Sequence, residues 1–190
     1  KSKPRFIAFA VPFGWILKPE EFEKGLDVAV SNIKRIPPSS IDSTIKNYHW
    51  LDLVIGMFDA YDRGHHTAIL TDEENNVLEG PGFNIFSVDE IGLSTPDRGV
   101  LEGITRQTVL DLAKELNLPV NLKPLSLQKL KSSTEIFATS TAGGIMPITK
   151  INGQQIGTGI PGKITRQLHK VYWDMHTDPT WSLAVEDLLQ

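Results

Sequence analysis

Three glycine-bearing segments could do chemistry: Glu79-Gly80-Pro81-Gly82-Phe83-Asn84, Gly99-Val100-Leu101-Glu102-Gly103-Ile104-Thr105-Arg106 and Ser140-Thr141-Ala142-Gly143-Gly144. Each falls at the end of a predicted strand or the start of a predicted helix. The second leads straight into a helix, so the backbone N–H groups of Ile104 and Thr105 lack intrahelical partners and lie at the positive end of its dipole. Such a helix start binds anions. Neither the P-loop pattern nor a G-x-G-x-x-G fingerprint occurs, so a nucleotide phosphate is not the first reading. Taken singly, each segment also fits an ordinary tight turn.

The elements that must position these segments are legible from periodicity and punctuation. Phe6 to Val11 and Leu26 to Ile33 are rich in β-branched and aromatic residues and are predicted as strands. The segment Ile36-Pro37-Pro38-Ser39-Ser40 cannot be helical through its paired prolines, and it delivers an extended loop to Lys46. A helix is expected from Tyr48 to Arg63, with Leu51, Val54, Ile55 and Phe58 on its buried face and Gly64 as its stop. Lys46 therefore stands just before a packed helix.

Thr67 to Thr71, Val77 to Glu79 and Phe83 to Val88 read as a meander broken at Gly80-Pro81-Gly82. A second helix is expected from about Ile104 to Leu116, burying Val109, Leu112, Ala113 and Leu116. Ser126 opens a short helix, Glu135 to Thr139 reads as a strand, and Ile148 to Ile156 as a hairpin turning at Asn152-Gly153. A last helix spans about Gly162 to His176, with Ile164, Leu168, Val171 and Met175 on one face. Strands and helices do not alternate regularly, so a mixed α/β (α+β), barrel-like domain fits better than a doubly wound sheet. Residues 1–190 are read as one such domain.

Composition narrows the function classes. A chain of 190 residues, 40% of them hydrophobic, can bury a sizeable core. The net charge of -4, without a long run of either sign, argues against a nucleic-acid partner. With no cysteine, disulfides, thiolate catalysis and Cys-ligated zinc are excluded. His65-His66 lacks metal-ligand spacing and reads as a polar turn, so no metal is expected. No apolar run approaches the roughly 20 residues of a membrane helix, so a soluble, cytoplasmic protein is expected.

The order and spacing of these motifs resemble fold type IV pyridoxal-phosphate enzymes, the family of branched-chain and D-amino-acid aminotransferases. The resemblance runs from about Arg35 to Tyr172. It implies the barrel-like C-terminal domain of that fold, with pyridoxal 5'-phosphate as cofactor and transamination as activity. It places Lys46 at the position of the catalytic, Schiff-base lysine, and Glu79 at that of the glutamate pairing with the pyridine nitrogen. It matches Asn84 in the same motif, Leu101 against the ring face, and Ile104, Thr105 and Thr141 around the phosphate. Trp15 and Ala142 are implied beside the substrate. Arg35 matches an arginine common before this loop, with a structural ion pair as an equal reading, and stays outside the catalytic set.

Within the family, Trp15, Lys46-Asn47, His49-Trp50, residues 56 to 64, Thr95 to Arg106 and Thr141 to Thr149 are most similar to (R)-selective amine transaminases. The implied reaction moves an amino group between an (R)-amine and a keto acid such as pyruvate. A branched-chain or D-amino-acid aminotransferase, or a non-catalytic fragment of such an enzyme, is the alternative. The chain starts within a strand-like segment, and the family's smaller N-terminal domain, with its phosphate-clamping arginine, is expected to be absent. A homodimer or a companion polypeptide is expected, together with an exposed apolar patch where these would sit.

Overall fold

A computed structural model describes residues 3–185. Its strands are β1 (Leu26–Lys34), β2 (Thr67–Thr71), β3 (Asn76–Val77), β4 (Glu79–Gly80), β5 (Phe83–Asp89), β6 (Gly92–Thr95), β7 (Val120–Leu122), β8 (Leu125–Ser126), β9 (Glu135–Ser140), β10 (Gly144–Ile151) and β11 (Gln154–Gln155). The helices are α1 (Leu51–Asp62), α2 (Ile104–Glu115), α3 (Leu127–Lys131) and α4 (Lys163–Asp174). All strands join one sheet in the order β7-β6-β5-β9-β10-β1-β2-β3-β8, with β11 on β10 and β4 on β5. β1 runs parallel to both β10 and β2, whereas the pairs among β5, β9 and β10 are antiparallel.

The sheet curls on itself as a barrel. Beyond β3 the chain stays beside β2, where the Leu78 N–H donates to the Leu70 carbonyl at 3.0 Å, and β4 then pairs with β5. Gly80 makes this closure possible: a Cβ there would lie 2.5 Å from the Ala68 carbonyl oxygen and 2.1 Å from the Phe83 ring. Alternate residues of β5 and β9 sort to opposite faces. Phe83, Ile85, Ile136 and Ala138 enter an interior core with Val28, Ile69, Leu125 and Met146. Phe86, Val88 and Phe137 face outward, under Val109 and Leu112 of α2 and Leu168 of α4. The mixed, barrel-like class expected from the sequence is the one observed.

α2 and α4 bury the faces their periodicity predicts; Ile164, Val171 and Met175 pack on the same cluster as Leu168. Ser126 caps α3 by accepting from the Lys129 N–H at 3.2 Å. The Asn152-Gly153 turn is formed by two positive-φ residues, at 51° and 74°.

α1 departs from expectation. Its buried residues are Asp52, Leu53, Gly56 and Ala60, while Leu51, Ile55 and Phe58 are exposed. The cause is the distance the helix must keep from β1 and β2. A Cβ on Gly56 would already stand 2.9 Å from Leu70 Cδ1 and 3.2 Å from Ser31 Oγ, so the small face turns inward and the large side chains outward. Leu53→Ala is accordingly expected to cost about 2–4 kcal/mol in chemical denaturation. Ile55→Ser should change stability by no more than about 0.5 kcal/mol, the reverse of the order periodicity predicts.

Residues 6–11 form no strand and lie exposed, for want of a neighbouring strand among the described residues. The expected apolar exposure is present in Phe6, Ile7 and Phe9, in Tyr48 before α1, and in the α1 stripe of Leu51, Ile55 and Phe58. Among the described residues no helix is long and apolar enough to cross a membrane, and no His/Asp/Glu cluster could hold a metal ion. His66 Nδ1 instead accepts from the Asp27 N–H at 2.9 Å, at a polar turn.

His169 on α4 is half-buried, donating from Nδ1 to the Ile145 carbonyl at 2.8 Å and packed on Phe22 at 4.0 Å between centroids. Burial pushes its pKa below the ordinary 6.5, against the opposing effect of that hydrogen bond. A depressed histidine stabilises the fold above its unfolded pKa and loses that contribution as pH falls through its folded value. Between pH 7.5 and 5 the melting temperature should therefore fall further in the wild type than in His169→Gln.

Candidate active site

On the outer face of the barrel, a cavity of about 390 Å3 opens between the loop before α1 and the loop before α2. Lys46, Glu79, Asn84, Leu101, Ile104, Thr105 and Thr141 all line it. Seven residues spread over half the chain thus meet at one place.

Glu79 and Asn84 are opposed across the tight β4–β5 turn. Together they grip one residue of the neighbouring loop. Glu79 Oε2 accepts from the Leu101 N–H at 2.9 Å, and Asn84 Nδ2 donates to the Leu101 carbonyl at 2.8 Å. Gly103 lets that loop approach, since a Cβ would fall 2.4 Å from Asn84 Oδ1. The grip sets the start of α2, whose N-cap, Gly103, supplies no side-chain cap, so its first N–H groups remain available to an anion.

Glu79 is 5% exposed, and its second oxygen, Oε1, accepts from Arg35 Nε at 3.1 Å. Burial pushes this carboxyl above the usual 4.5; the Leu101 N–H and Arg35 pull it down, and nearby Asp52 adds to the rise. Lys46 lines the same cavity with an exposed side chain, its Nζ 5.6 Å from the Trp50 ring centroid. The third wall is the β9–β10 turn. Ser140 Oγ donates to the Gly82 carbonyl at 2.7 Å and accepts from the Ala142 N–H at 3.1 Å, which fixes Thr141 at the cavity edge.

Trp15 and Ala142 do not line this cavity. Trp15 stacks 5.8 Å from Trp173 in a separate apolar depression, and the Ala142 carbonyl accepts from the Ile16 N–H at 2.9 Å. Three residues outside the sequence-derived set belong to the site or its support. Arg35 lines the cavity and bridges Glu79 to buried Asp52. Thr139, one residue before the predicted loop, lines it with a buried hydroxyl that has no partner among the described residues. Its alternation with Phe137, which faces the helices, was the sequence signal that could have found it.

The arrangement brings together an amine, a buried carboxylate held by an arginine, and a helix start flanked by hydroxyls. These can bind a flat, partly cationic ring carrying an anionic group.

Known proteins share this fold. The family model for amino-transferase class IV matches residues 1–151. A putative branched-chain-amino-acid aminotransferase of Methanocaldococcus jannaschii is 33% identical over 188 residues, covering 98% of this chain and 63% of that protein. The structure of the Escherichia coli branched-chain amino acid aminotransferase superposes with a TM-score of 0.84 at 30% identity, over 90% of this chain and 59% of that one. The branched-chain amino acid aminotransferase of Thermobaculum terrenum, in its PLP-bound holo-form, gives 0.78 at 32% identity, over 83% and 53%. The chain thus spans between about half and two-thirds of the length of these relatives. The match over most of its residues, joined to the shared fold, places the chain in the class IV aminotransferase family.

Proposed function

We propose that this chain is the cofactor-binding domain of a pyridoxal-phosphate-dependent aminotransferase and that Lys46 carries the cofactor. The observation that supports this most is the single cavity shared by Lys46, Glu79 and the uncapped start of α2. The residues present fit the group. A volume of about 390 Å3 lies in the range of small-molecule sites. The unpartnered hydroxyl of Thr139 is a buried polar atom awaiting a ligand.

When bound, pyridoxal phosphate supplies a ring that takes up the electron pair left as a proton departs from the carbon beside the amine. The chain's own residues do the rest. Ile104 and Thr105 offer backbone N–H groups to the phosphate, with the hydroxyls of Thr105 and Thr141 beside them. Glu79, already holding two donors, would accept a third from the ring nitrogen and keep it protonated. Leu101, locked by Glu79 and Asn84, limits where the ring can lie. Lys46 Nζ, on a flexible stem at the rim, would take and return the proton.

The amino donor we propose is an (R)-amine, with a keto acid such as pyruvate as acceptor; a branched-chain substrate is the second reading, favoured by the named relatives. Trp15 and Ala142 are proposed to border the substrate once further surfaces close over the site. A dimer is proposed as well, supported by the exposed apolar stripe on α1. Steady-state rates with (R)-1-phenylethylamine, D-alanine and L-leucine as donors test the substrate. A preference for (R)-1-phenylethylamine is expected, and turnover of L-leucine alone would replace this reading by the branched-chain one.

A further inference from the structure

Behind Glu79 lies a charge arrangement that the cofactor reading does not require. Arg35, Asp52 and Glu79 form a buried row, with side chains 10%, 7% and 7% exposed. Asp52 Oδ2 accepts from Arg35 Nη1 at 2.6 Å and from the Ile36 N–H at 2.8 Å, while Oδ1 accepts from the Leu53 N–H at 2.9 Å. Arg35 meets Glu79 by the longer contact, 3.1 Å from Nε to Oε1. Asp52 does not line the cavity, whereas Arg35 and Glu79 do. One guanidinium is thus shared by two carboxylates, and the tighter bond goes to the one that no ligand can reach.

The charges in the row sum to one net negative, in a setting where an unbalanced buried charge is costly. The other charged groups at the cavity are Lys46 and, exposed at the rim, Glu102. Neither makes an ion pair with the row.

We propose that Asp52 is a positioning residue acting through Arg35: it takes up the guanidinium's charge and so leaves the Glu79 carboxylate free to hold a cation in the cavity. Without Asp52, Arg35 and Glu79 would close into a neutral pair, and the site would lose its demand for a protonated ring nitrogen. This inference rests on the cofactor reading for the identity of that cation. The charge-sharing itself does not depend on it.

The test is made first on the cofactor-free protein, by carbon NMR titration of side-chain-labelled glutamate, with the Glu79 resonance assigned by Glu79→Gln. Asp52→Asn should lower the Glu79 midpoint by about one pH unit, because the guanidinium is released to it. Arg35→Gln should raise it, because the only cation of the row is gone. Loss of the Asp52 charge lowers the midpoint directly as well, so charge sharing is isolated by making Asp52→Asn in the Arg35→Gln background: a smaller shift there than in the wild type is expected, and an equal shift overturns the proposal. Should Asp52→Asn fail to fold, Arg35→Gln carries the test, and an unraised midpoint overturns the proposal.

The second arm uses pyridoxamine phosphate labelled with nitrogen-15 in its ring. On the wild type the ring nitrogen should stay protonated to higher pH than on Asp52→Asn, by about one unit. Equal titration on both proteins overturns the role of Asp52. Absence of saturable binding to the wild type overturns the cofactor reading instead, and leaves the carboxyl titration to judge the charge row.

Discussion

Replacing Lys46 by alanine is expected to slow transamination by about 1,000-fold or more, since one side chain is asked both to attach the cofactor and to move the proton. No other lining residue can take over. The cavity's remaining lining cation is Arg35, whose guanidinium is engaged by Asp52 and Glu79. The variant should still bind pyridoxal phosphate, because the N–H groups at α2 and the hydroxyls around them are untouched. That binding should become freely reversible on dialysis. A small primary amine added to the buffer should restore part of the proton-transfer rate. Single-turnover kinetics in the presence and absence of such an amine measure both effects, and a variant within tenfold of wild type would remove Lys46 from its role.

Glu79→Gln is expected to lose about 100- to 1,000-fold in the proton-transfer step while keeping the cofactor attached. The amide keeps the shape of the side chain but not the charge that would hold a ring nitrogen protonated. The pH behaviour follows from the burial of Glu79, which raises its carboxyl above 4.5 despite the pull of the Leu101 N–H and Arg35. A raised folded pKa means that the protonated form is the one the fold favours. Its contribution to stability is full below the ordinary value and is lost as pH rises through the folded one. The melting temperature of Glu79→Gln, relative to cofactor-free wild type, should therefore improve as pH is raised from 4.5. In the loaded wild type the rate should fall on acidification as Glu79 protonates, and this limb should be absent from the variant.

What could be read from the chain alone depended on whether local pattern and tertiary environment agree. In α2 and α4 they do: the residues predicted to share a face are those that cover Phe86 and Phe137. In α1 they do not. The barrel leaves little room above Ala29, Ala68 and Leu70, so Gly56 and Ala60 turn inward, and a hydrophobic stripe that looked like core lies exposed. A pattern of apolar spacing cannot distinguish a stripe meant for this domain's core from one meant for another surface. Residues 6–11 show the same limit, since strand-like composition forms a strand only beside a partner.

The site was legible where glycines mark it. Gly80 and Gly103 are sites of close approach that a Cβ would block, and the motif residues around them do converge. For Arg35 the ion-pair reading is the one observed, but its partners, and with them Asp52, escaped because these contacts join distant segments. Arg35 reaches Asp52 across 17 residues and Glu79 across 44, and neither separation is a recognisable spacing. Trp15 lies outside the cavity in this chain, its aromatic ring against Trp173 and Phe13.

That Lys46, which lines one cavity with Glu79, carries the cofactor is the proposal on which the rest depends. Its most direct test is borohydride reduction of the purified protein loaded with pyridoxal phosphate, followed by peptide mapping. The visible absorbance should disappear on reduction, and a single phosphopyridoxyl group should be found on Lys46. Recovery of the label on another lysine, or an unlabelled protein with its colour lost to dialysis, would contradict it.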